Sequence, residues 1–66
     1  SGATPLMMAA SMGRLNAVQF LLKQGANPGI KDHSGHTALD RARDAGFDNV
    51  VEAIEEFLKT GATSRR

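Results

Sequence analysis

Three residues able to bind a metal or move a proton, Asp32, His33 and His36, fall within one five-residue stretch. Zinc sites draw on a cysteine pair or on two histidines with three residues between them on a helix, and neither pattern is present. The stretch also holds Ser34-Gly35, a turn dipeptide. The trio therefore reads as polar residues at an exposed loop tip, suited to contacting a partner. Glu52, Glu55 and Glu56 are a second candidate group, but acids at this spacing read as the solvated face of one helix. Nucleophilic catalysis would need a base held against a Ser or Thr inside a pocket. The Ser and Thr residues here are better explained as helix caps and turns. Gly2 and Gly13 form no phosphate cradle, because no lysine follows in P-loop spacing. No catalytic residue, cofactor or metal is expected.

Composition narrows the setting in which such residues could act. With 66 residues and a formal net charge of +1, the chain holds at most one small domain. Domains of this size bury only about 60% of their unfolded surface and are marginal on their own. There is no cysteine, so no disulfide or thiolate site can compensate, which suits a reducing compartment. No apolar run approaches the roughly 20 residues of a membrane helix, and no signal peptide is visible. Near-neutral charge with both signs interspersed, and three Phe as the only aromatics, argue against a nucleic-acid or membrane surface as partner. The expected setting is intracellular, cytoplasmic or nuclear.

The elements that must position these residues follow from an internal repeat. A shift of 33 residues superposes Ser1-Gly2 on Ser34-Gly35, Thr4 on Thr37, Leu6 on Leu39 and Ala9 on Ala42. It also superposes Gly13 on Gly46, Asn16 on Asn49 and Val18 on Val51, eight identities in all. Each unit reads as a short helix, a glycine break and a second helix. Thr4 before Pro5, and Thr37 with Asp40 three residues later, are helix starts. Asn16 and Asn49 are read as caps of the second helices. Val18, Leu21 and Leu22 share one helix face, and Val50, Val51, Ile54, Phe57 and Leu58 another. Gly25 ends the first long helix in a left-handed cap. Residues 26–36, with Pro28-Gly29 and Ser34-Gly35, read as an extended hairpin with a tight turn at Asp32 to Gly35.

The stretch from Gly2-Ala3-Thr4-Pro5-Leu6 to Gly13-Arg14-Leu15, followed by Val18-Gln19-Phe20-Leu21-Leu22 to Gly25-Ala26-Asn27-Pro28, resembles an ankyrin repeat. Asp32-His33-Ser34-Gly35-His36-Thr37-Ala38-Leu39 resembles the opening of a second. The resemblance covers about residues 1–59. It implies a mainly α fold, an ankyrin-type helical repeat solenoid of two helix-turn-helix units joined by a hairpin-like loop. The units are 1–31, of internal type, and 32–60, of C-terminal cap type, with 61–66 a disordered tail. The histidine that the family often places after Thr-Pro-Leu is replaced by Met7 and by Asp40, which puts that tie between repeats in doubt.

The two copies differ in a directed way. Met8, Ala10 and Leu22 become Arg41, Arg43 and Glu55. Charges left unpaired between stacked repeats would be costly, so these three are expected on a solvated face that closes the array. The first copy has no such protection. Further repeats upstream, or self-association through the N-terminal face, are expected to cover it, since three or more repeats are usually needed for stability.

The resemblance further implies a non-catalytic module that binds another protein or peptide through its concave face and hairpin tip. Carried over by position, that surface is Ala3, Met7, Ser11 and Met12 from the first copy. From the second it is His33, Ser34, His36, Asp40, Arg43, Asp44 and Ala45. Met8 is expected in the core and Met12 exposed. The alternatives are a purely structural cap and a regulatory segment of a larger enzyme, each with recognition elsewhere.

Overall fold

Four helices make up the computed structural model, which describes residues 2–61: α1 (Pro5–Ser11), α2 (Leu15–Lys23), α3 (Ala38–Ala45) and α4 (Asp48–Thr60). Each of the two short helices opens on a threonine cap. The Thr4 hydroxyl accepts from the Met7 amide at 3.2 Å, and the Thr37 hydroxyl accepts from the Asp40 amide at 3.2 Å. In return the Thr37 N–H donates to Asp40 Oδ2 at 3.1 Å, while the Thr4 N–H donates to the Met7 thioether sulfur at 3.4 Å. Sulfur is the weaker acceptor, so the same box is built twice with unequal strength.

The short helices end alike. Gly13 (φ +71°) and Gly46 (φ +82°) take the left-handed conformation that a side chain would disfavour. The amide that follows each glycine reaches back across the helix end, Arg14 to Ala9 and Phe47 to Ala42. The second helices then begin at Leu15 and Asp48, without a side-chain cap. Asn16 and Asn49 thus lie inside the first turn instead of capping it. The glycine turn already fixes the entry of the chain, and Asn49 Oδ1 accepts locally from the Val50 amide. Gly25 (φ +98°) closes α2 as expected, with the Ala26 amide donating to the Leu21 carbonyl at 2.9 Å.

α1 packs on α3 and α2 on α4, so the two helical hairpins stack side by side in register. Leu6, Met7, Ala9 and Ala10 of α1 meet Ala38 and Ala42 of α3 in one core with Val18, Leu22, Val50 and Ile54 of the outer helices. The alanines let the short helices approach closely, and the branched side chains of α2 and α4 fill the space behind them. Each large apolar side chain buried there contributes about 1.5–3 kcal/mol.

Residues 24–37 join the units without forming a strand. Their fixed point is a turn in which the Gly35 amide donates to the Asp32 carbonyl and the Asp32 amide to the His36 carbonyl, both at 2.9 Å. α4 runs 13 residues against 9 for α2, because Leu58 occupies the position of Gly25 and the helix continues to Gly61. The tail expected from residue 61 onward lies, apart from Gly61, outside the described residues.

Candidate partner-binding surface

The hairpin tip is organised by one carboxylate. Asp32 has a side chain only 3% exposed, and its Oδ1 accepts from the amides of Ser34 and His36, both at 2.9 Å. Its Oδ2 takes a two-pronged bond from the Arg41 guanidinium, through Nε at 3.1 Å and through Nη2. The His36 amide and the Arg41 side chain hold its pKa down at about 2, against the opposing effect of burial. Asp40 is likewise held below the ordinary carboxylate value, chiefly by the Thr37 amide. Arg41 is therefore not simply a charge on a solvated face. It pins the tip to α3, which the first copy, with Met8 at that position, cannot do through an ion pair.

Between the pinned tip and the short helices lies an open groove of about 450 Å³, lined by Ser11, Asp32, Ser34, His36, Arg41, Asp44 and Ala45. Of the residues expected at a partner surface, the groove unites Ser11, Ser34, His36, Asp44 and Ala45. Ser11 is committed through its proton, which the hydroxyl donates to the Met8 carbonyl at 3.0 Å. Arg43 does not line the groove; it stands 3.7 Å from Asp40 and 3.4 Å from Glu55. His33 is exposed on the far side of the tip with its ring against the Gly2 backbone. Met12 is exposed but lines a separate hollow with Gly13 to Ala17. Ala3 is half-buried beyond the groove.

Met7 does not join this surface. Only 1% of it is exposed, because its thioether folds back to cap Thr4 and the second unit covers it. Met8, expected in the core, is 54% exposed on the opposite side of α1. The two methionines exchange roles, since a helix that starts at Pro5 turns positions 6, 7, 9 and 10 inward. Asp32, expected as an exposed tip residue suited to contacting a partner, is instead buried as the frame of the tip, and Arg41, expected on a solvated face, is its partner. Their signal was an Asp two residues before Ser34-Gly35 with an Arg one helical turn into the following helix.

Charge is also less mixed than the composition suggests. Residues 2–31 carry Arg14, Lys23 and Lys31 and no acid, a net +3. Residues 32–61 carry seven carboxylates against Arg41, Arg43 and Lys59, a net −4. No group of three or more His, Cys, Asp or Glu is placed to hold a metal among the described residues. No helix there is long and apolar enough to cross a membrane.

At the N-terminal end an apolar face is open. Pro5 is exposed and Ala17 and Leu21 half-buried, whereas their counterparts Ala38, Val50 and Ile54 are fully buried under the first unit. A hollow of about 240 Å³ lies here, lined by Thr4, Pro5, Leu6, Leu21, Ala26, Asn27 and Ile30.

Stacked helical hairpins with a 33-residue period, threonine-capped short helices and a tip pinned back to the helix define a helical repeat protein built for interaction. The family comparison is specific: a model described as ankyrin repeats (many copies) matches residues 1–42, and the chain belongs to the ankyrin repeat family. XBAT34, a candidate E3 ubiquitin-protein ligase of Arabidopsis thaliana, is 48% identical over 58 residues, which is 88% of this chain and 15% of that protein. The E3 ubiquitin-protein ligase hecd-1 of Caenorhabditis elegans is 38% identical over 63 residues, 86% of this chain and 2% of its own length. The mouse ARF GTPase-activating protein GIT2 is 38% identical over 56 residues, 85% of this chain and 8% of that protein. The chain thus spans a small part of each relative.

Proposed function

We propose that this chain is the C-terminal part of a longer ankyrin array and binds another protein or peptide through the groove between the hairpin tip and α3. The observation that carries the reading is the Asp32–Arg41 pair, which fixes the tip and leaves Ser34, His36 and Asp44 displayed along one groove. A rigid frame with adaptable polar groups on its rim suits recognition, because little ordering is left to be done on binding. The module itself is non-catalytic. Its relatives carry names of ubiquitin ligases and of a GTPase-activating protein, so a catalytic region elsewhere in the parent polypeptide fits its role as the recognition part, in an intracellular setting.

The open apolar face of Pro5, Ala17 and Leu21 supports the array reading, with a further repeat upstream as its cover and a second copy of the chain as the alternative. A purely structural role, closing the array while recognition lies upstream, is favoured by one observation. Arg43 and Glu55 make the opposite face polar where Ala10 and Leu22 make an interface.

The test is capture of partners by the chain with its natural upstream sequence, comparing wild type with a Ser34→Ala, His36→Ala, Asp44→Ala variant of equal helicity. Loss of a partner in the variant supports the groove. Equal retention would move recognition to the upstream repeats and leave these two as a cap.

A further inference from the structure

Both arginines of α3 are already paired within the molecule. Arg41 spends its charge on Asp32, and Arg43 stands between Asp40 and Glu55. Asp44 is different. It lines the groove, is exposed, and makes no side-chain hydrogen bond or ion pair among the described residues. The fixed charge left for a ligand is therefore negative. It sits among residues 32–61, whose net charge is −4. The Ser34 hydroxyl beside it makes no hydrogen bond among the described residues and is open to a peptide backbone, while the exposed His36 imidazole lies with Nδ1 3.9 Å from Asp32 Oδ1.

Resting on the reading of this groove as the binding site, we infer that its ligand is an extended, basic protein segment that presents a Lys or Arg side chain to Asp44. An acidic or phosphorylated segment would meet Asp44 with no unpaired cation to offset the repulsion. A basic one gains attraction from Asp44, and that attraction weakens as salt screens it.

The experiment uses the chain immobilised at its C-terminus and a phage-displayed library of random twelve-residue peptides, selected in parallel on wild type and Asp44→Lys. Asp44 is on the exposed side of α3, so its replacement leaves the fold intact, which helicity checks. The expected result is enrichment of Lys and Arg in the wild-type pool. Synthesised members should bind Asp44→Lys roughly tenfold or more weakly and lose affinity with added salt. Enriched peptides without a basic excess that are still lost on Ser34→Ala, His36→Ala would overturn the charge assignment while the groove stands. Peptides indifferent to both variants would overturn the groove as well. Selection of no peptide at all would overturn the inference.

Discussion

Gly13 and Gly46 occupy the same position in the two units, with the same left-handed backbone, but not the same surroundings. A Cβ on Gly13 would lie 2.7 Å from the Phe47 ring, while a Cβ on Gly46 would meet nothing within 4 Å. Gly2 and Gly35 repeat the contrast, the first pressed by the His33 ring and the second open. Ala10 and Leu22 are buried where Arg43 and Glu55 are exposed. In each pair the first unit is covered by the second, and no described residue covers the second in the same way. Burial here is set by the neighbouring unit, not by the fold of the unit itself, which is how quasi-one-dimensional proteins distribute their stability.

The sharpest way to break this comparison is at the paired positions of the outer helices. Leu22→Ala should destabilise the chain by about 2–5 kcal/mol, the usual range for emptying a packed leucine site. Glu55→Ala should stay within about 0.5 kcal/mol. Urea unfolding of both variants decides it, and similar losses would mean that the second unit's outer face is covered after all.

The glycines come next. Alanine at either position pays about 1–2 kcal/mol for the left-handed backbone. Gly13→Ala must in addition displace Phe47, at about 1–3 kcal/mol for overpacking. Gly13→Ala should therefore be the more damaging of the two in the same unfolding measurement. Equal losses would show that Phe47 moves aside freely and does not seal the interface.

Much of this architecture was legible because a repeat compares a sequence with itself. Thr4 and Thr37, Gly13 and Gly46 mark both ends of the short helices, and all four were placed correctly. Ala9 and Ala42 were aligned by the same repeat, and both are buried in the core. What the repeat could not show was the facing of neighbours in a seven-residue helix, where a start fixed at Pro5 decides whether Met7 or Met8 turns inward. Nor could it show that Arg41 pairs with Asp32, because the first copy has no equivalent pair to reveal the contact. The groove was half legible: position gave Ser34, His36 and Asp44, but the frame that displays them depends on side chains brought together only by the fold.

That frame gives the second unit a pH response that the described part of the first lacks. Asp32 is held at about 2 against an ordinary 3.8. A depressed carboxylate stabilises fully above its ordinary value, and its contribution fades as pH falls from 3.8 toward 2. Asp40, also depressed, acts in the same direction, whereas its counterpart Met7 carries no charge. Asp32→Asn should lower stability at neutral pH and flatten the acid decline in this window, read from urea midpoints between pH 5 and pH 2. An unchanged slope would mean that the ionised Asp32, with its His36 amide and Arg41 partners, contributes nothing to folding.

The smallest change in folding stability should come from rewriting the polar end in the pattern of the first unit, by Arg43→Ala with Glu55→Leu. The pair removed is exposed and 3.4 Å apart, so its loss costs about 0–1 kcal/mol. Its consequence should appear in association instead. The variant would present Ala and Leu where Ala10 and Leu22 present them to the second unit, and the other end of the same molecule already offers Pro5, Ala17 and Leu21. Two unlike, matching faces make a head-to-tail contact that does not close on itself, so growth into open chains follows. Sedimentation should show wild type at lower mass than the variant, with the shift reversed by Leu21→Glu on the receiving face. A variant that keeps the wild-type mass would show that Arg43 and Glu55 are incidental to keeping this end closed. The difference between the units would then lie in the longer α4, which continues through Leu58 where α2 turns at Gly25.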